Sequence, residues 1–203
     1  MAKEAVSFFW FRRDLRLEDN LGLFQALQSK YPVIPVFIFD ETILERLPNN
    51  DPRVGFIHES LAVINGKLNE FGASLLVKKG KPSEVWESLL HDYNIQEVYW
   101  NKDYEPNAIQ RDLDVDNLLV SKEVTVFAFK DQVIFEEAEI VKADGLPYTV
   151  YTPFKNKWLE KYHTIAPVQE WDATPYFSNF FKSNFAFPNL EEIGFRPSSI
   201  KVK

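Results

Sequence analysis

Short continuous apolar runs alternate along this chain with segments whose apolar residues recur three and four apart. This feature most constrains the fold. Val6–Phe11 is such a run, as expected of a strand buried on both faces. Val33–Phe39, Ser74–Val77, Ile95–Trp100 and Val124–Phe129 read as four more. Helical stripes lie between them. Asp19 can cap a helix with Leu23, Phe24 and Leu27 on one face. Asp51-Pro52 reads as a cap and first helical residue, followed by Val54, Ile57, Leu61, Ile64, Leu68 and Phe71 as core, with Gly72 as terminator. Pro82 opens a helix with Val85, Trp86, Leu89 and Leu90, and Glu105-Pro106 opens one with Ile109, Leu113 and Val120 as a weaker stripe. Five strands separated by four helices predict an α/β fold: a five-stranded parallel Rossmann-like sheet, order 3-2-1-4-5, with helices on both faces.

The pattern changes near Phe135. The division expected is 1–135 as the α/β domain and 136–203 as an extended connector, with a short helix from about Pro153 to Tyr162. From Thr164 on, periodicity is lost, yet Phe177, Phe180, Phe181, Phe185, Phe187 and Phe195 make the stretch too apolar for an ordinary linker. It should drape over the domain or dock on something else.

Several function classes are disfavoured. With no cysteine, thiolate metal sites and Cys nucleophiles are excluded. His58, His91 and His163 lack metal-ligand spacing, so no metal is expected. There is no GxGxxG, Walker-type loop or GxSxG elbow. A formal charge of −7 makes the chain a poor nucleic-acid binder by itself. No stretch has the length of a membrane span, and a cytoplasmic location is expected.

The densest chemistry follows the first strand. Arg12, Arg13, Asp14, Arg16, Glu18 and Asp19 crowd into the residues between Phe11 and Asn20. In a 3-2-1-4-5 sheet the order reverses between strands one and four, and ligands bind outside the carboxyl ends there. The loop after strand four, Asn101-Lys102-Asp103-Tyr104-Glu105, lands beside it. Arg12, Arg13, Asp14 and Arg16 are expected chiefly to lock this corner by ion pairing, a structural and interdomain role. Asp103 and Glu105 could cap a helix or bind a ligand, and Phe37 and Phe39 suit the core better than a site.

"FFWFRRDLRLEDNLGL" resembles the opening signature of the DNA photolyase/cryptochrome family, most like a deoxyribodipyrimidine photolyase. "VYWNKDYEPNAIQRD" is similar to its strand-four segment and "PYTVYTPFKNKW" to its P-Y-x-V-[FY]-T-P-F stretch. The resemblance covers most of residues 5–162.

It implies an N-terminal domain that holds a light-harvesting antenna chromophore, followed by a helical domain that binds FAD. In the family, the excited reduced flavin gives an electron to a cyclobutane pyrimidine dimer, which splits. The flavin-domain motifs lie outside these 203 residues. The implied partners are therefore the FAD domain of the same chain and, only through it, damaged DNA; the isolated piece should be inactive and prone to self-association through its Phe-rich tail. The resemblance implies antenna contacts at Phe37, Phe39, Arg53, Asp103, Glu105 and Asn107. Folate-binding relatives carry an Asn-Glu pair where this chain has Asn107-Ala108, and loss of that charged hydrogen bond costs about 1.5–3 kcal/mol. A deazaflavin or flavin antenna, or none, is therefore favoured over folate. The alternatives are a cryptochrome photoreceptor, or a freestanding HUP-like flavin- or nucleotide-binding module.

Overall fold

The computed structural model describes residues 3–165 and 168–200, so the last three residues of the expected connector lie outside the described residues. Strands β1 (Ala5–Phe11), β2 (Val33–Asp40), β3 (Leu76–Gly80), β4 (Asn94–Asn101) and β5 (Thr125–Phe129) form one parallel sheet in the order 3-2-1-4-5. Helices α1 (Leu21–Leu27), α2 (Glu41–Leu44), α3 (Pro52–Glu70), α4 (Pro82–Asp92), α5 (Pro106–Val120) and α6 (Tyr151–Tyr162) connect or follow the strands. The fold class is the one expected.

Alternation along the strands sorts the core into two layers. Phe9 and Phe11 of β1 point towards α1 and α3, where Leu23, Leu27, Val54, Leu61 and Leu68 close the first layer. Val6, Phe8 and Trp10 point the other way, to Trp86 and Leu89 of α4 and Val115 and Leu119 of α5. Every central strand is thus buried on both faces, which is why it reads as an unbroken apolar run. Much of the aromatic excess is consumed here: Trp10 stands edge-on to Trp86 and Trp100 at 5.7 and 5.8 Å.

Local departures have local causes. The third strand begins at Leu76, not Ser74, because side chains take the backbone donors before it. The Ser74 N–H donates to Ser183 Oγ (3.1 Å) and the Leu75 N–H to Asn65 Oδ1 (2.8 Å), so pairing with β2 starts at Leu76 opposite Val36. The cap of α1 is Asn20, whose Oδ1 accepts from the Leu23 N–H; Asp19 has φ of 46° and instead accepts from the Trp171 N–H. The start of α3 is as read, with Asp51 accepting from the Arg53 N–H (2.9 Å). Phe71, read as core, is exposed and meets the tail ring of Phe177 edge-on.

On α5 the expected stripe is the wrong face. Ala108, Val115 and Leu119 are buried, while Ile109, Leu113 and Val120 are exposed. The helix packs through its smaller apolar side and leaves a second apolar stripe outward.

The stretch after α6 drapes over the domain. Ala173, Phe177, Phe180, Ile193 and Phe195 are buried in the same cluster as α1 and α3, so residue 136 opens no separate core. Phe180 also bridges to Val33 in parallel register, and the Phe181 N–H donates to the Val33 carbonyl at 2.8 Å. The Asn179 amide donates to the carbonyls of Leu27, Ser29 and Tyr31. Phe181, Phe185 and Phe187 are half-buried against the cores. Of the two expectations for the tail, draping over the domain is the one seen: these rings are packed on it. Among the described residues no helix is long and apolar enough to cross a membrane.

Candidate functional site at the carboxyl edge

The charged corner is a closed hydrogen-bond knot. Asp14 is buried; its Oδ1 accepts from the Arg12 N–H (2.9 Å), and its Oδ2 from the amides of Asn101 (2.6 Å) and Asn20 (3.3 Å). Burial pushes the Asp14 carboxyl above its usual range, and these donors oppose the shift. Asn101, the last residue of β4, also accepts from the Gly22 N–H at 2.9 Å. A Cβ at Gly22 would lie 2.6 Å from that Asn101 oxygen, so this approach of helix to strand requires glycine. One knot thus ties the end of β1, the cap of α1 and the end of β4 at the switch point.

The arginines divide. Arg12 is buried against the rings of Trp10 and Trp100 (5.3 and 5.8 Å to the centroids) and ion-pairs with Asp112 of α5. Burial lowers its pKa, with Asp112 opposing. Its Nε and Nη2 find no partner among the described residues. Arg16 pairs with Asp131, whose other oxygen accepts from the Leu21 N–H at the start of α1. Arg13 is different: it is exposed and holds Glu105 (2.7 Å) and Asp103 (3.4 Å), and the hydrogen bond to Glu105 raises its pKa.

The six residues expected at an antenna site do not converge. Phe37 and Phe39 are buried in the first core layer, edge-on at 4.9 Å. Arg53 is exposed and folds back on Asp51 (Nε–Oδ1 2.9 Å, Nη2–Oδ2 2.7 Å), holding that carboxyl below its usual range. These three belong to β2 and α3. Asp103, Glu105 and Asn107 follow β4, on the other side of β1. Asp103 Oδ1 accepts from the N–H groups of Tyr104 (2.8 Å) and Glu105 (3.4 Å) ahead of α5. Glu105 stands at the cap position with no side-chain capping bond, and Asn107 is exposed on the first turn of α5.

Two cavities flank the knot. The smaller, about 200 Å³, lies where β2 and β3 end; Glu41, Glu45, Asn49 and Lys79 supply its polar groups, and Leu44, Ile193 and Phe195 its apolar wall. The larger, about 530 Å³, lies between α5, the end of β5 and the turn at Glu137–Glu139. Of the expected residues only Asp103 lines either. The polar lining of the smaller cavity was missed because it depends on the tail closing over β2 and β3. That of the larger had a signal: Ile109, Asp112, Leu113 and Asp116 recur at helical spacing on α5. Glu139 accepts from the Glu136 N–H (2.7 Å), Lys130 (2.7 Å) and Lys161 (3.3 Å), which hold its carboxyl down at about 2.

A doubly wound parallel α/β domain, knotted at its switch point and open at its carboxyl edge, is the class these features define. The sequence model described as DNA photolyase matches residues 7–175. The deoxyribodipyrimidine photo-lyase of Halobacterium salinarum is 31% identical over 199 residues, which are 94% of this chain and 41% of that one. An uncharacterized 31.6 kDa protein of Synechococcus is 33% identical over 192 residues, 94% of this chain and 66% of that one. The crystal structure of a bacterial class III photolyase from Agrobacterium tumefaciens superposes with a TM-score of 0.78 at 28% identity, covering 98% of this chain and 40% of that one. The chain belongs to the DNA photolyase family and carries its N-terminal α/β domain. It spans about two-fifths of the length of the photolyases named here.

Proposed function

We propose that this domain is the light-harvesting part of a cytoplasmic DNA photolyase acting on cyclobutane pyrimidine dimers. The observation that carries the reading is a family match over residues 7–175 on a sheet whose carboxyl edge holds a mixed-charge cleft. A deazaflavin or flavin antenna suits the cleft at the ends of β2 and β3 better than the larger cavity. Such rings present carbonyl acceptors, which want donors such as the Asn49 amide and Lys79, whereas five carboxylates line the larger cavity. Leu44 and Phe195 would give the ring its apolar wall, with Phe37 and Phe39 in the core behind. A chromophore bound there supplies absorbed near-UV or blue light as excitation energy for FAD in a helical domain. That domain carries the repair and the DNA contact; this one alone repairs nothing.

The helical domain also accounts for α6. No α6 residue is buried, and Val150, Tyr151, Phe154, Leu159 and Tyr162 around it are exposed. The chain accounts for 40% of the Agrobacterium photolyase, so most of such a protein lies elsewhere. An apolar helix face beside the connector is where it would dock.

The test is titration with a deazaflavin, FMN and a reduced folate, read by visible absorption and fluorescence. Deazaflavin or FMN should bind, and Lys79→Ala should weaken binding about tenfold, the loss of one charged hydrogen bond. Tight binding of folate alone would overturn the choice of antenna. Blue-light repair by the protein joined to its FAD domain tests the lyase; normal flavin photoreduction without repair would make it a photoreceptor. A second reading, a freestanding binding module, is favoured by the 31.6 kDa relative, of which this chain covers 66%. A native mass near that value in the source cell would support it.

A further inference from the structure

We infer that the larger cavity is a second ligand site, separate from the antenna cleft, for an uncharged nitrogen heteroaromatic ring bearing an exocyclic amino group, of the aminopurine kind. The argument starts on α5. Ile109, Asp112, Leu113 and Asp116 fall at i, i+3, i+4 and i+7 and so form one outward stripe. A solvated helix face is ordinarily polar. Here Ile109 and Leu113 remain outward because the helix packs through Ala108, Val115 and Leu119. Opposite them stand Ala128 of β5 and Ala138, short side chains that leave the space open. The volume, about 530 Å³, lies in the range of small-molecule sites, which are mostly apolar with a few placed polar groups.

The polar groups set the ligand's chemistry. The lining carries Asp103, Asp112, Asp116, Glu136 and Glu139 against Lys102. Asp116, the one lining carboxylate that no described cation pairs, puts like charge in front of a phosphate or carboxylate. A full cation is not demanded either, because four of the five carboxylates already have protein partners. Arg13 holds Asp103, Arg12 and Arg111 hold Asp112, Lys102 holds Glu136, and Lys130 and Lys161 hold Glu139. Asp116 alone among them has no hydrogen bond or ion pair to a described residue. A carboxylate is an acceptor only, so the group it awaits is an N–H or O–H donor. An apolar ring with an amino group satisfies the walls and Asp116 together.

The test is calorimetric titration of the protein with adenosine, purine riboside and AMP. Adenosine should bind saturably. Purine riboside, which lacks the amino group, should bind about tenfold more weakly, as should adenosine to Asp116→Asn. AMP should bind more weakly than adenosine, by a margin that narrows as salt rises. Ala128→Phe, which fills an exposed edge position, should abolish binding with an unchanged melting temperature, and Lys79→Ala should leave it intact. Adenosine binding that is absent, indifferent to Ala128→Phe, or displaced by FMN bound at the cleft would overturn the inference.

Discussion

Two aromatic-rich stretches follow β5, and they have opposite fates. Residues 173–195 bury Phe177, Phe180, Ile193 and Phe195 in the core of the α/β domain. The α6 helix buries none of its residues, and Leu146, Val150, Tyr151 and Phe154 are exposed. Composition does not distinguish them; their moorings do. The tail is held by backbone: it adds a bridge beside Val33, and its Ser183 N–H donates to the Gly72 carbonyl at 3.1 Å. The helix satisfies its own backbone and, among the described residues, is moored through side chains. Trp158 meets Phe135 edge-on at 5.4 Å, and Lys161 reaches Glu139. A stretch tied by its backbone belongs to this domain's stability, while one tied at a single edge leaves its other face uncovered.

This comparison can be broken most directly at Phe180. Phe180→Ala should cost about 3–5 kcal/mol in urea unfolding, as for a buried core phenylalanine. A loss under about 1 kcal/mol would make the tail an accessory and erase the contrast. The mooring of α6 can be sharpened through pH. The Glu139 carboxyl is held at about 2 in the folded protein, against an ordinary 4.5, so its contribution is present above about 4.5 and is lost as pH falls towards 2. The stability gap between wild type and Glu139→Gln, measured by urea unfolding at each pH, should therefore be full near neutrality and close over that acidic window. A gap independent of pH would show that the charge of Glu139, held by the Glu136 N–H first and by Lys130 and Lys161 after it, does not hold the segment. The smallest effect is expected on the helix face itself. Tyr151→Ser should change stability by no more than about 0.5 kcal/mol, while weakening association with a separately produced FAD domain in a pull-down. A large loss of stability would mean that α6 is part of the core after all.

The strands were legible because burial on both faces leaves no polar alternation to blur them, as in Val33–Phe39. The start of α3 was legible because Asp51-Pro52 is a local capping device. The start of β3 was not, since the donors of Ser74 and Leu75 are taken by Ser183 and Asn65, and the first of these is distant in sequence. At the candidate site, Arg12, Asp14 and Arg16 make ion pairs and hydrogen bonds at the corner where the sequence analysis expects a lock. Arg13, from the same run, is exposed and only clamps Asp103 and Glu105. A run of alternating charge announces pairing, but which member is buried depends on which strand and helix lie beside it.

By itself the sequence determined the strands and helices, the α/β class and the family, because these rest on local periodicity, caps and short motifs. The tertiary structure alone decided the rest: that α5 turns its larger apolar residues outward, that the tail closes over β2 and β3, and that the expected antenna residues fall on two sides of β1. These follow from packing between segments far apart in the chain, where a residue's surroundings are set by which face of a helix the neighbouring layers leave room for.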